Sequence, residues 1–133
     1  MPRSTTRVKA SALGTAILSA MQEYTDEVAR GVVIEVDEMA DVVRDEIADG
    51  SPEKTGDYRK GWKVKKADSP GRTRRIVHNK TDWQLTHLLE KGHVKRGGVG
   101  RVAGHPHIAP VCDRRLPELL DRIKRVVKNG GPL

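Results

Sequence analysis

The chain has 133 residues, 25 Lys and Arg against 18 Asp and Glu for a formal charge of +7, one cysteine, two Trp, two Tyr and no Phe. That length points to one domain able to bury a core, and a lone cysteine rules out an internal disulfide framework and fits a cytosolic origin. So few aromatics argue against a reader of single-stranded nucleic acid, which needs stacking platforms. No apolar run approaches the ~18–20 residues of a membrane helix, and the basic opening MPRSTTRVKA is not followed by the apolar core of a signal peptide. Residues 1–10 read as a flexible basic terminus, 11–128 as a single α+β domain and 129–133 as a flexible end.

From Leu13 an apolar series runs through Ile17, Met21, Tyr24, Val28, Val32, Val36, Met39, Val43 and Ile47 at intervals of three or four. That period predicts one long amphipathic helix. Gly31 is its candidate kink, and GVVIEV, β-branched enough for a short strand, is drawn into the helix by the period on either side. Unbroken, it would measure roughly 55 Å, more than so small a domain needs, so part of it is expected to pack on another subunit. Gly50 and Pro52 supply the stop.

Next, Trp62 and Val64 share one side of a strand with Lys63 and Lys65 on the other. Asp68-Ser69-Pro70-Gly71 has turn chemistry, and a second strand is predicted from about Arg72 to Asn79. This makes an antiparallel β-hairpin or small sheet, basic on its outer side. Lysines there also discourage edge pairing. Thr81 and Gln84 fit a capping box ahead of a short helix through Trp83, Leu85, Leu88 and Leu89. Residues His93 to Gly104 read as a Gly-rich basic loop. A last helix carries Leu116, Leu119, Leu120, Ile123, Val126 and Val127, with Asp113 as its N-cap, Pro117 in or near its first turn, and Asn129-Gly130 at its end.

The +7 is a difference between unlike blocks. Residues 11–50 carry ten acids and two arginines, net −8, whereas residues 51–133 carry twenty bases and eight acids, net +12. Such asymmetry describes two solvated faces, one half that binds nucleic acid while the other repels it, or surfaces that bind each other on neighbouring copies. A head-to-tail contact between unlike surfaces closes into rings. The interface candidates are therefore Glu35, Asp37, Glu38, Asp41 and Asp45 on the acidic helix, against Lys63, Lys65, Arg74 and Arg75 of the hairpin and Lys95, Arg96 and Arg101 of the loop. Reversing Glu35, Asp37, Glu38 and Asp41 to lysine is expected to weaken assembly in a salt-sensitive way.

Candidate chemistry is thin. His87, His93, His105 and His107 do not have the spacing of a zinc site. Gly98-Val99-Gly100-Arg101-Val102-Ala103 matches the dinucleotide fingerprint in letters, yet Gly104-His105-Pro106 follows it where a helix must start. Cys112 enters a helix among apolar neighbours and reads as packed. No catalytic set, metal or cofactor is expected. The bases remain able to touch duplex DNA non-specifically.

Three ordered segments carry a resemblance: Thr55-Gly56-Asp57-Tyr58 through Gly61-Trp62; His87-Leu88-Leu89-Glu90-Lys91-Gly92-His93; and Arg101-Val102-Ala103-Gly104 leading to His105-Pro106-His107-Ile108-Ala109-Pro110. Together they resemble the small tail-component (tail-completion or neck) proteins of long-tailed double-stranded DNA bacteriophages and prophages. The resemblance implies a virion structural or assembly protein of the head–tail junction, not an enzyme, forming a homo-oligomeric ring. Implied partners are head-closure or adaptor proteins and tail-terminator or tail-tube proteins, with no membrane. The implied location is the virion, after the host cytoplasm during assembly. Thr55, Gly56, Tyr58, Trp62, Glu90, Gly92, His93, Pro106, His107 and Pro110 would be structural motif residues, the glycines serving turns, the prolines an extended entry to the last helix, and Glu90 either an intersubunit ion pair or a solvated side chain. The competing reading is a small basic nucleic-acid-associated protein that dimerises through its acidic helix; a weaker one is a hydrolase or nuclease using the histidine-rich loop.

Overall fold

The computed structural model describes residues 12–52 and 56–133; the expected basic terminus at 1–10 and Thr55 lie outside these. The architecture is α+β, as expected. In chain order it comprises α1 (Leu13–Gly50), a short α2 (Asp57–Lys60), β1 (Trp62–Lys66), β2 (Arg75–Asn79), a 3-10 turn (Trp83–Leu85) running into α3 (Thr86–Lys91), β3 (Gly92–Val94), β4 (Arg101–Ala103) and α4 (Ala109–Asn129).

Helix α1 is unbroken over 38 residues, so GVVIEV is helical and Gly31 does not interrupt it. The glycine serves a close approach instead. A β-carbon there would stand 2.6 Å from Val126 Cγ1 and 2.9 Å from the Pro132 nitrogen. Helix α4 lies against α1 in the opposite sense, with the Tyr24 hydroxyl donating to the Val127 carbonyl (2.7 Å), Arg122 paired with Glu35 (3.0 Å) and Arg115 with Glu46 (2.5 Å).

The hairpin pairs Trp62 with Asn79, Val64 with Val77 and Lys66 with Arg75. Trp62 and Val64 turn toward α1 while Lys63 and Lys65 are exposed, as the alternation predicted. Ser69 and Arg72 form a bridge that closes the tight turn, and the ladder proper resumes only at Arg75. The core gathers Ile47, Tyr58, Trp62 and Val111, flanked by Val43, Val77, Leu89 and Ile108. It sits where the end of α1 meets α2, the hairpin and the start of α4.

Several local expectations are corrected. The Gly-rich loop at 93–104 is a ribbon, with His93 opposite Val102 and Val94 opposite Arg101. The Thr81–Gln84 capping box does not form; Asn79 Oδ1 accepts from the Thr81 and Asp82 amides instead (3.2 and 2.8 Å). Helix α4 begins at Ala109, so Asp113 is inside it and not its cap, Pro110 stands in its first turn rather than in an extended entry, and Pro117 lies in its interior. Pro117 is on an exposed face, where water can serve the carbonyl its missing N–H abandons.

Candidate functional site

The three sequence motifs converge on one buried cluster. Helix α1 is followed by its C-cap Ser51, whose hydroxyl donates to the Ile47 carbonyl (2.7 Å) and accepts from the Trp62 indole (2.8 Å). Trp62 and Tyr58 meet edge to face at 5.6 Å, and each ring also packs edge-on against His107. The Tyr58 hydroxyl lies 2.7 Å from His107 Nε2. With the phenol donating there, the ring hydrogen sits on Nδ1, 2.8 Å from the His105 carbonyl and 3.0 Å from Glu90 Oε2. Asn79 completes the shell by donating to the Tyr58 carbonyl (2.6 Å).

Glu90 is the centre of this arrangement. Its carboxylate accepts from the backbone N–H groups of His107 (2.7 Å), Ile108 (3.0 Å) and Ala109 (2.9 Å). It therefore caps α4 from a different helix, covering donors a helix start leaves open. Burial pushes its pKa up, but the amides of Ala109, His107 and Ile108 outweigh this, so the carboxyl sits below the ordinary range. These bonds are all made within the chain. Gly92 turns the strand away from α3 at φ +80°, ψ 178°, a conformation open to glycine alone, and a β-carbon would strike the Val102 carbonyl oxygen. Gly56 likewise has positive φ at the start of α2. His93 is half-buried, its Nδ1 3.0 Å from the Val94 carbonyl, and Pro106 is exposed beside buried His107.

The interface candidates divide. Glu35 is buried and held by Arg122, and Asp37 is held by Arg75 (2.6 Å), whose guanidinium is buried and also binds Asp68 (2.6 Å). The complementarity expected between copies thus operates inside one chain at these residues. Reversing their charges would break intrachain pairs first. Asp41 and Asp45 share Arg44 on the same helix, and Glu38 is exposed. Lys63, Lys65, Arg74, Lys95, Arg96 and Arg101 are exposed.

Sequence reasoning passed over Glu46, Arg115, Ser51 and Asn79. Arg115 joins Glu46 (2.5 Å) to Glu118 (2.7 Å), and its hydrogen bonds hold the Glu46 carboxyl down at about 2. A depressed carboxylate stabilises the fold above its unfolded-state pKa, and that contribution is lost as pH falls through the folded value. We therefore expect Glu46→Gln to flatten the acid limb of stability between the ordinary glutamate range and pH about 2, read by denaturant unfolding across pH. An acid limb unchanged from wild type would contradict this.

Among the described residues, no three His, Cys, Asp or Glu side chains gather as a metal ion would require. The Cys112 thiol is pushed up by burial and by the charges of Asp113 and Glu90, which disfavours the nucleophilic thiolate. No helix among the described residues is long and apolar enough to cross a membrane.

With this geometry in place, comparison with known families gives one match. The family described as "Bacteriophage HK97-gp10, putative tail-component" matches residues 15–92, more than half of the chain. That span holds α1 from its third residue, the hairpin, the first motif and the second up to Gly92. The third motif, with His107, lies beyond it and is tied to the others by the structure. No curated protein and no solved structure gives a significant match.

Proposed function

The chain belongs to the HK97-gp10-like family of bacteriophage tail components, and from that premise we propose that it is a non-enzymatic structural subunit acting at the head–tail junction or in tail completion, as a member of a homo-oligomeric ring. A tail component belongs to the virion; the route through the host cytoplasm during assembly is part of the proposal.

The observation that carries the ring is the imbalance between a small core and a large uncovered apolar surface. The buried apolar residues are Met39, Ala40, Ile47, Tyr58, Trp62, Val111 and Val126, while Leu13, Ile17, Leu18, Met21, Leu116, Leu120 and Val127 are exposed on the two long helices. Exposed apolar faces of that extent mark protein contacts. The partners that fit are further copies and the head-closure, adaptor, tail-terminator or tail-tube proteins beside them. A motif cluster locked by internal hydrogen bonds suits a rigid assembly part.

Deleting the gene from its phage or prophage tests this reading. The expected result is heads without attached tails, or tails of defective form, in electron micrographs of the lysate. Normal infectious particles would overturn it. The exposed bases favour a second reading, duplex DNA contact, which predicts binding by the purified protein that falls steeply with salt. In a ring the same bases would face DNA passing through it.

A further inference from the structure

Helix α1 has two halves in different situations. From Tyr24 onward its inner face packs on α4 and on residues 130–132, as the contacts of Tyr24, Glu27 and Gly31 show. Before Tyr24 that face continues largely open among the described residues. Leu13, Ile17, Leu18 and Met21 are 51, 50, 68 and 61% exposed. Leu13, Ile17 and Met21 extend the turn-by-turn row of Tyr24, Val28 and Gly31, and Leu18 adds an apolar side chain on another side. Residues 13–22 contain no charge at all. A projecting helix that is uncharged all round is a surface made to be covered. At 1.5 Å per residue it reaches roughly 15 Å beyond the body.

The same chain carries a matching receptor. Between α1, α4 and the turn of the β-hairpin lies an open cleft of about 540 Å³, with Ala29, Val32, Val36 and Ile123 as its apolar wall and Ser69 and Arg72 on its rim. Leu116, Leu120 and Val127 add an exposed apolar row along α4 that runs beside Ile123. The arm cannot enter its own cleft, because Ala29, Val32 and Val36 are farther along the same unbroken helix. Residues 1–11 offer only Met1, Pro2, Val8 and Ala10 as apolar side chains among three bases, too little to cover it. Charge sets a direction. The arm is followed by Glu23 and Asp26, and the cleft is lined by Arg72, while the acid in its lining, Asp68, is already paired with Arg75 (2.6 Å).

We infer that residues 13–22 of one copy seat in the cleft between α1, α4 and the β-hairpin turn of a second copy. Arm and cleft are different surfaces of one chain, so the contact is head-to-tail and repeats around a ring. This deepens the tail-component reading and rests on it.

Disulfide trapping with the full chain in a Cys112→Ser background tests the contact. Met21→Cys and Arg72→Cys proteins are mixed under mild oxidation. The expected product is a cross-linked pair that requires both proteins and is lost when Ile17→Asp is added to the arm variant. Light scattering should show wild type above monomer mass and Ile17→Asp near it, with unchanged helical circular dichroism. Cross-linking of Met21→Cys to itself, with no mixed product, would mean symmetric arm pairing and overturn the inference. So would wild-type protein that stays monomeric over a concentration series, or an arm whose cysteine is shielded until residues 1–11 are deleted. These outcomes leave the gene-deletion phenotype untouched, so the tail reading stands or falls separately.

Discussion

Replacing Glu90 with alanine is expected to destabilise the fold by about 3 kcal/mol, since it uncovers three backbone donors at once and removes a helix cap. The carboxylate accepts from the His107, Ile108 and Ala109 amides and stands 3.0 Å from His107 Nδ1. Loss therefore spreads from the start of α4 to His107, and through it to Tyr58. Urea unfolding followed by helical circular dichroism measures the effect, and a change below ~0.5 kcal/mol would remove Glu90 from the centre of the cluster. Glu90→Gln separates shape from charge. Because the folded pKa of Glu90 is lowered, its contribution is complete above the ordinary glutamate value and is lost as pH falls through the folded one. The Gln variant should lack that acid-dependent component. It should also be less stable than wild type at neutral pH, where the charge-assisted bonds are strongest.

The second large effect is expected at Gly31. Replacing a glycine inside a helix normally stabilises by up to ~1 kcal/mol. Gly31→Leu should instead cost about 3 kcal/mol, the upper range for forcing atoms into a packed contact. Its β-carbon would meet Val126 Cγ1 at 2.6 Å, the Pro132 nitrogen at 2.9 Å and the Gly131 carbonyl carbon at 3.0 Å. Two of these are backbone atoms that can move only by lifting the end of α4 from α1. Gly14 on the same helix has open space around it, so Gly14→Ala is the control and should lose no stability. Thermal unfolding of the two variants should move in opposite senses or diverge by several degrees. Equal melting temperatures would mean that the approach of α4 at Gly31 contributes nothing.

These two residues mark what periodicity and spacing could reach. The stripe from Leu13 to Ile47 predicts α1 because helix formation is local and repeats every three or four residues. The alternation at Trp62–Lys65 predicts the facing of β1 in the same way, and the Asp68–Gly71 turn follows from local backbone chemistry. Gly31 looks from its neighbours like a weak point in a helix, since nothing nearby tells that a chain end from residues 130–132 will touch it. Asp113 looks like a cap because it is the nearest capable side chain, while the actual cap, Glu90, comes from α3. The capping box at Thr81 fails for the same reason: Asn79, fixed by the hairpin, reaches the amides first. The Gly-rich segment hides a ribbon because its strands are three residues each, too short to show a period.

The charge division was legible as a division, but not in its use. An acidic helix and a basic remainder attract each other wherever they are placed. The sequence cannot tell whether they meet within a chain or between copies, since Coulomb attraction depends on position and not on chain order. The fold brings Glu35 to Arg122, Asp37 to Arg75 and Glu46 to Arg115, which consumes much of the complementarity internally. What is left for assembly is mostly apolar: the uncharged start of α1 and the cleft beside α4.

The sequence by itself determined the α+β class, the long first helix, the facing of the hairpin and the family, because each rests on local periodicity or on ordered short motifs. Only the tertiary structure decided that the motifs form one buried cluster, that Glu90 caps a helix distant in sequence, and that the apolar side chains in the first turns of α1 stand exposed among the described residues. Those facts depend on which surfaces are brought within a few ångströms of one another, and separation along the chain says nothing about that.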